Sequence, residues 1–426
     1  MEISYNFTKT AILYDISTKS PPNASEKSAI SEISSPKTLF QSSFYVLQLQ
    51  QLELKINKLP FMLILLVFDI RRNILKTLEQ AIKLFSLQNY DCREVEGHEG
   101  GRNKIFICSK GGEKKFVLRI SATGDRREKD YLAESEFVHY LAENGAPVAD
   151  VIPSAGEKFV EIIDGDGADS SEASDCTDSG AAGDDCVAPV FLSLFEYAKG
   201  MLLADNGYRY REGAPLSEYF FNTGKTLGKI HALSKNFEPV TAPCRPDYFD
   251  KYNMEYLGRL IPDKYSELKS AITARLEKFC TLPTDAQSYG LVHFDFSDGN
   301  YHIDMDTGAI TVFDFDNCLY CWYMFDLANL WLHNEGWCRH EPDPGKRFAL
   351  MQQCFDLQLQ GYKSQTSISD ELLKQLPLFI DMVLIENIVD EFECAAREGE
   401  ELDYEDIEDA SESLIHEIPY AGLGKF

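Results

Sequence analysis

Between Cys92 and Tyr197 the apolar residues alternate in short runs, and from Gly200 onward they recur at helical spacing. Strand-type and helix-type segments segregated in this way do not build an alternating parallel sheet. They build an α+β protein in which a sheet and a helical body each bury one face. A chain of 426 residues, 44% of them apolar, is long enough for both.

The first body reads as follows. In residues 73–87, NILKTLEQAIKLFSL, Ile74, Leu78, Ala81, Ile82 and Phe85 share one helical face. Three β-rich runs follow, CREVEG, KIFICSK and KKFVLRIS, separated by the glycine-rich turns GHEGGRN and GGE. A helix is predicted over Glu128–Asn144, closed by Gly145. Two more strands are predicted near 158–164 and 190–197, giving a five-stranded antiparallel sheet with one helix over 73–198. Between those two strands, residues 164–186 carry eight acids, no base and hardly any apolar side chain, so nothing offsets the entropy of ordering them. They read as a disordered acidic insertion. Residues 1–72 read as a poorly ordered extension, within which Met62 is an alternative start. The second body, 199–426, is mainly helical, with amphipathic segments at 216–233, 264–279 and 372–392.

A net charge of −28 excludes nucleic acid as the natural partner, since phosphate binding needs clustered Lys and Arg. The longest apolar run, FMLILLVF at 61–68, falls far short of the roughly 20 residues that a membrane-spanning helix needs. Eleven cysteines without a secretory signal read as reduced thiols in a cytoplasmic protein. Cys318 and Cys321, with His333, Cys338 and His340 beyond them, give a weak zinc signal, and packing explains them better.

The stretch 291–327, LVHFDFSDGNYHIDMDTGAITVFDFDNCLYCWYMFDL, holds the chemistry. Asp295 and Asn300 lie five residues apart in a loop, and a hairpin turning at 306–308 returns Asp314 beside them. Phosphoryl transfer from ATP needs a carboxylate to orient the attacking hydroxyl and hard oxygen ligands to hold magnesium against the phosphates. Asp295, Asn300 and Asp314 have that arrangement.

With those residues in view, the segment resembles the catalytic loop and metal-binding strand of the protein-kinase-like fold. It is most similar to the aminoglycoside phosphotransferase family, which includes choline, homoserine and methylthioribose kinases and bacterial stress-response kinases. The family's loop reads H-G-D-x-H-x-x-N, then I-D-F-D-D and D-L-A; here it reads HFDFSDGN, VFDFDNC and Asp326-Leu327-Ala328. Phe294 replaces the usual Gly, Ser297 a common His, and Asn317 a frequent third acid.

The resemblance implies a two-lobed fold with ATP and Mg²⁺ between the lobes. It makes Asp295 the catalytic base, Asn300 and Asp314 the metal ligands, and His293 and Asp326 supports of the loop backbone. Asp316 stays between metal and acceptor. Gly97, Gly100 and Gly101 become the phosphate-covering turn, Arg119 the cation facing the phosphates, and Glu134 its partner, with Glu136 the alternative. The backbone of Glu196 to Ala198 becomes the hinge that reads adenine. The acceptor is expected to be a small molecule, with Tyr252, Tyr256, Trp331, Glu386, Asp390 and Glu391 available to hold an ammonium group; ordinary helix-face roles explain them equally well. A stress-response Ser/Thr protein kinase and a nucleotide-binding pseudokinase are the rival readings.

Overall fold

The structure, a computed structural model, describes residues 74–95, 103–121, 126–163, 189–240 and 245–420. All of them lie in the second of the two units into which the chain divides, Ile70–Phe426. The expected extension 1–72, the glycine turn with Gly97, Gly100 and Gly101, and the acidic insertion 164–186 fall outside the described residues.

Helical residues 74–84 (α1) precede β1 (Asp91–Glu94), β2 (Asn103–Lys110), β3 (Glu113–Ser121), α2 (Glu128–Glu143), β4 (Val151–Ile152), β5 (Glu161–Ile163) and β6 (Val190–Glu196). These strands form one antiparallel sheet in the order β1-β2-β3-β6-β4, with β5 also on β6. The sheet therefore has six strands where five were expected. β4 pairs with Leu194 and Phe195, and β5 with 190–192, so two short strands share one edge of β6. A two-residue strand has too little alternation to be read from sequence.

Period-two alternation sorts β3 onto two faces. Leu118 and Ile120 pack with Phe106, Cys108, Leu192, Leu194 and the apolar side of α1. Arg119 and Ser121 therefore point to the opposite face, where α2 lies. Cys92 stands directly across from Cys108 in the β1–β2 ladder, Cα atoms 4.0 Å apart, and the two are joined as a disulfide. This departs from the reduced state expected for every thiol, because strand register, which brings the pair together, is not written in their spacing.

The second body contains α3 (Leu216–Ser234), α4 (Tyr248–Lys251), α5 (Met254–Leu260), α6 (Ser266–Phe279), β7 (Tyr289–Val292), β8 (Tyr301–Ile303), β9 (Ile310–Val312), β10 (Leu319–Trp322), α7 (Tyr323–Cys338), α8 (Pro344–Lys363), α9 (Asp370–Leu373), α10 (Leu376–Glu398) and α11 (Glu408–His416). The long helix expected from 372 begins instead at Leu376. Pro377 in its first turn explains the break, since proline fits a helix start and not its interior.

Helix α3 lies directly on α8 because glycines remove the side chains between them. A Cβ on Gly224 would sit 1.8 Å from the Gln358 carbonyl, and one on Gly361 2.0 Å from the Phe221 carbonyl. Helix α7 is buried on every side over residues 323–332 and fills the centre of this core. Cys318 and Cys321 are fully buried in the same core, Cys321 against Met382, and none of the described residues form a metal-holding group of three or more His, Cys, Asp or Glu. No helix of the described residues is long and apolar enough to cross a membrane.

Candidate active site

The loop after β7 is anchored from below. Asp326, fully buried on α7, accepts the N–H of His293 at 2.9 Å and that of Phe294 at 2.9 Å. The same carboxylate meets His231 Nε2 at 3.0 Å, and His231 Nδ1 lies 3.0 Å from the Tyr362 hydroxyl. A buried chain thus runs from α8 through α3 to the loop. The close α3–α8 packing is what brings His231 and Tyr362 together. His293 bonds the Phe313 carbonyl at 3.1 Å and lies over Phe315, with ring centroids 4.4 Å apart. Burial, only partly offset by the nearby Asp326 carboxylate, pushes both histidines below the ordinary imidazole range. Neutral rings suit supports of a backbone better than proton carriers.

Two non-glycine residues here occupy the left-handed region, Phe294 at φ 71° and Asp314 at φ 63°. Such backbone costs a bulky residue about 1–3 kcal/mol. At Phe294, where the resembled family has glycine, the ring stacks on Phe325 at 4.2 Å and 7°, and also approaches Tyr252. Stacking and the double grip of Asp326 hold the strained residue, which carries Asp295 behind it.

Asn300 donates its Nδ2 to the Asp295 carbonyl at 2.9 Å, which leaves Oδ1 as its remaining donor atom for a cation. The Phe313 N–H meets the Asn300 carbonyl at 2.9 Å, so the hairpin arm that ends in Asp314 is tied to the loop. Asp314 is exposed. Asp295 is half-buried, and burial, followed by the Asp314 charge, raises its carboxyl to about 7. One amide oxygen and hard carboxylates fit a magnesium ion.

Above this loop, Arg119 and Glu134 form a buried two-pronged pair, Nη1–Oε1 2.8 Å and Nη2–Oε2 2.7 Å. Burial works against Glu134's charge, but Arg119 outweighs it and holds the carboxyl below its ordinary range. Glu136, the alternative partner, does not take this place. The guanidinium lies between the rings of Phe195, 5.0 Å away, and Tyr131, 5.6 Å away. Its Nε–H is buried without a partner among the described residues. The charge of Asp314 reaches this guanidinium, which relates the pair to the loop.

At the expected hinge, the Glu196 N–H is engaged by the Asp150 carbonyl at 2.8 Å and the Ala198 carbonyl by His302 Nδ1 at 2.8 Å. The Ala198 N–H has no partner of this kind among the described residues. Asp316 is engaged as well. Its carboxylate pairs with Arg126 and accepts Asn103 Nδ2 at 3.2 Å, which takes it away from the metal and acceptor roles left open for it. Sequence reasoning missed Arg126, Arg245, His231 and Tyr362. Of these, His231 alone carried a signal, as a polar residue on the apolar face of LGKIHAL.

Trp331 belongs to the core: it is fully buried, packs on Phe348 and bonds Gln352, so it leaves the acceptor set. Tyr256 bonds Glu393, which also meets Lys251 at 3.1 Å, and Tyr252 is buried in a stack with Tyr248 at 4.5 Å. Along α10, Glu386 and Asp390 share a face, and Glu386 interacts electrostatically with Asp295. Burial, then Asp390 and Asp295, raise the Glu386 carboxyl to about 8.

The geometry has counterparts among known proteins. Residues 94–357 match the model of the phosphotransferase enzyme family (APH). This chain is a member of that family. The phosphotransferase is 25% identical to amicoumacin kinase of Bacillus subtilis (strain 168) over 280 residues, 65% of this chain and 74% of that one. Among solved structures, amicoumacin kinase hAmiN, in complex with AMP-PNP, Ca²⁺ and Ami, has a TM-score of 0.65 at 20% identity, covering 84% of this chain and 98% of that one. A microcompartment-associated aminopropanol kinase has a TM-score of 0.55 at 17% identity, covering 80% and 94%. The phosphotransferase shares its fold with both.

Proposed function

We propose that this phosphotransferase moves the γ-phosphate of ATP to a hydroxyl of a small molecule bearing an ammonium group, with Asp295 as the base. The observation that carries the reading is the contrast inside one loop. Its backbone is fixed by Asp326 and Asn300, while the Asp295 and Asp314 carboxylates have no ion pair among the described residues. A carboxyl poised at about 7 suits a base that works near neutral pH.

The residues divide the work. Arg119, oriented by Glu134, supplies the positive charge that faces the phosphates, and the Ala198 N–H donates to the adenine edge. Asn300 and Asp314 would hold the metal, which would offset the charge that develops on the phosphates. Asp295 aligns the acceptor hydroxyl for in-line attack and takes its proton. Glu386 and Asp390 face the ammonium group of the acceptor, whose positive charge offsets the excess of carboxylates around Glu386.

A small acceptor is favoured over a protein by the short path after Asp314. Strand β10 begins at Leu319, five residues later, and α7 follows at once, so no long peptide-docking segment intervenes. The relatives named for amicoumacin and aminopropanol point the same way. The test is a metabolite mixture enriched in amino alcohols, incubated with ATP and magnesium and read by mass spectrometry, beside casein as a protein acceptor. A phosphorylated amine made by wild-type but not by Asp295→Asn is expected. Phosphate transfer to casein alone, or equal turnover by the variant, would overturn the reading.

A further inference from the structure

We propose that Arg245, assisted by Arg126, is a positioning residue that clamps helix α2 onto the segment following Asp314 and so sets both halves of the nucleotide and metal site at once. The inference rests on the roles proposed above for Arg119, Glu134 and Asp314. Arg245 is 5% exposed. Its Nη1 donates to the Asp130 carbonyl at 3.0 Å, its Nε to the Cys318 carbonyl at 2.7 Å, and its Nη2 to the Asp316 carbonyl. Asp130 lies on α2 one helical turn before Glu134. Asp316 lies two residues beyond Asp314. One planar guanidinium therefore binds the helix that presents the partner of Arg119 and the chain that presents the metal carboxylate.

Among the described residues the three hydrogen-bond acceptors of the Arg245 guanidinium are backbone carbonyls. Burying a cation without a directly bonded carboxylate is costly, and an apolar side chain would fill the same space more cheaply. What an apolar group lacks is the fork of donors that fixes two backbone segments at a set separation. Arg126, just before α2, repeats the hold: it pairs with the Asp316 carboxylate, reaches the Asp316 carbonyl and lies 3.3 Å from Asn317 Oδ1. Asn103 extends the connection to β2 and, through Ser121 at 2.6 Å, to β3 beside Arg119.

In kinases the corresponding Lys–Glu pair and the metal aspartate must both be in place before transfer, and movement of the helix controls that. Here Arg245 ties the helix that carries Glu134 to the segment after Asp314.

Calorimetric titration of full-length protein with ATP, in magnesium and in EDTA, tests the clamp in Arg245→Lys, with Asp314→Asn as the control for the metal site. Arg245→Lys keeps the charge but not the fork. Its metal-free ATP affinity should stay near wild-type, while the magnesium concentration for half-maximal binding rises about tenfold, as for other residues that orient a metal ligand. An unchanged magnesium dependence, or equal losses with and without metal, would overturn the clamp. Should Arg245→Lys not fold, Arg126→Gln takes the same titration; a rise in the same direction supports the clamp, and no shift overturns it. Absence of any magnesium dependence in wild-type, or its survival in Asp314→Asn, would instead strike the proposed metal site.

Discussion

Two enclosed glutamates in this phosphotransferase meet opposite electrostatic fates. Glu134, beside Arg119, is held below its ordinary range, whereas Glu386, beside Asp390 and Asp295, is pushed up to about 8. Burial disfavours charge at both, so the neighbour decides the sign. On the nucleotide side the structure is neutralised in advance, and the charges are part of the fold. Around Glu386 the acidic neighbours outweigh Lys251, which itself pairs with Glu393. An ammonium group on a ligand would offset that excess of carboxylates.

The comparison can be broken at several points. Asp295→Asn should lower kcat about a thousandfold while ATP affinity changes little; a variant with wild-type kcat would remove the base from the acceptor side. Glu134→Ala leaves the Arg119 charge buried and alone, and should cost about 3–5 kcal/mol in chemical denaturation. A loss no larger than that of an exposed Glu→Ala would mean that the nucleotide side is not neutralised by this pair.

The acceptor side predicts the reverse. The folded-state values of Asp295 and Glu386, about 7 and about 8, lie above ordinary carboxyl values. A raised value favours the folded state fully below the unfolded carboxyl range, and that contribution is lost as pH rises through 7 and 8. Ligand-free protein should therefore lose stability from about pH 4 to pH 8, and Glu386→Gln should recover about 2 kcal/mol of it at pH 8. A variant less stable than wild-type at pH 8 would mean that Lys251 outweighs the acidic neighbours of Glu386. The smallest effect concerns the strained loop between the two sides. Phe294→Gly should be about 1 kcal/mol less destabilising than Phe294→Ala, because glycine accepts the left-handed backbone. Equal losses would show that the stack, and not the backbone, sets the cost.

Much of this was readable from residue order. The segregation of strands and helices, the loop from His293 to Asn300, and the hairpin returning Asp314 depend on local spacing, and local spacing is what periodicity reports. The sixth strand was not legible because two residues carry no period, and the start of α10 was misjudged where Pro377 ends a continuous apolar pattern. Trp331 looked like a ligand-facing aromatic because sequence does not separate a core helix from a lining one.

By itself the sequence determined the class of fold and pointed to Asp295, Asn300 and Asp314 as a candidate oxygen-bearing triad, since both follow from short-range pattern. Tertiary structure alone decided that Asp316 serves Arg126, that Arg245 joins α2 to the segment after Asp314, and that acidic neighbours outweigh Lys251 around Glu386. Those outcomes depend on which side chains from distant segments share a low-dielectric space. No spacing along the chain encodes that distance.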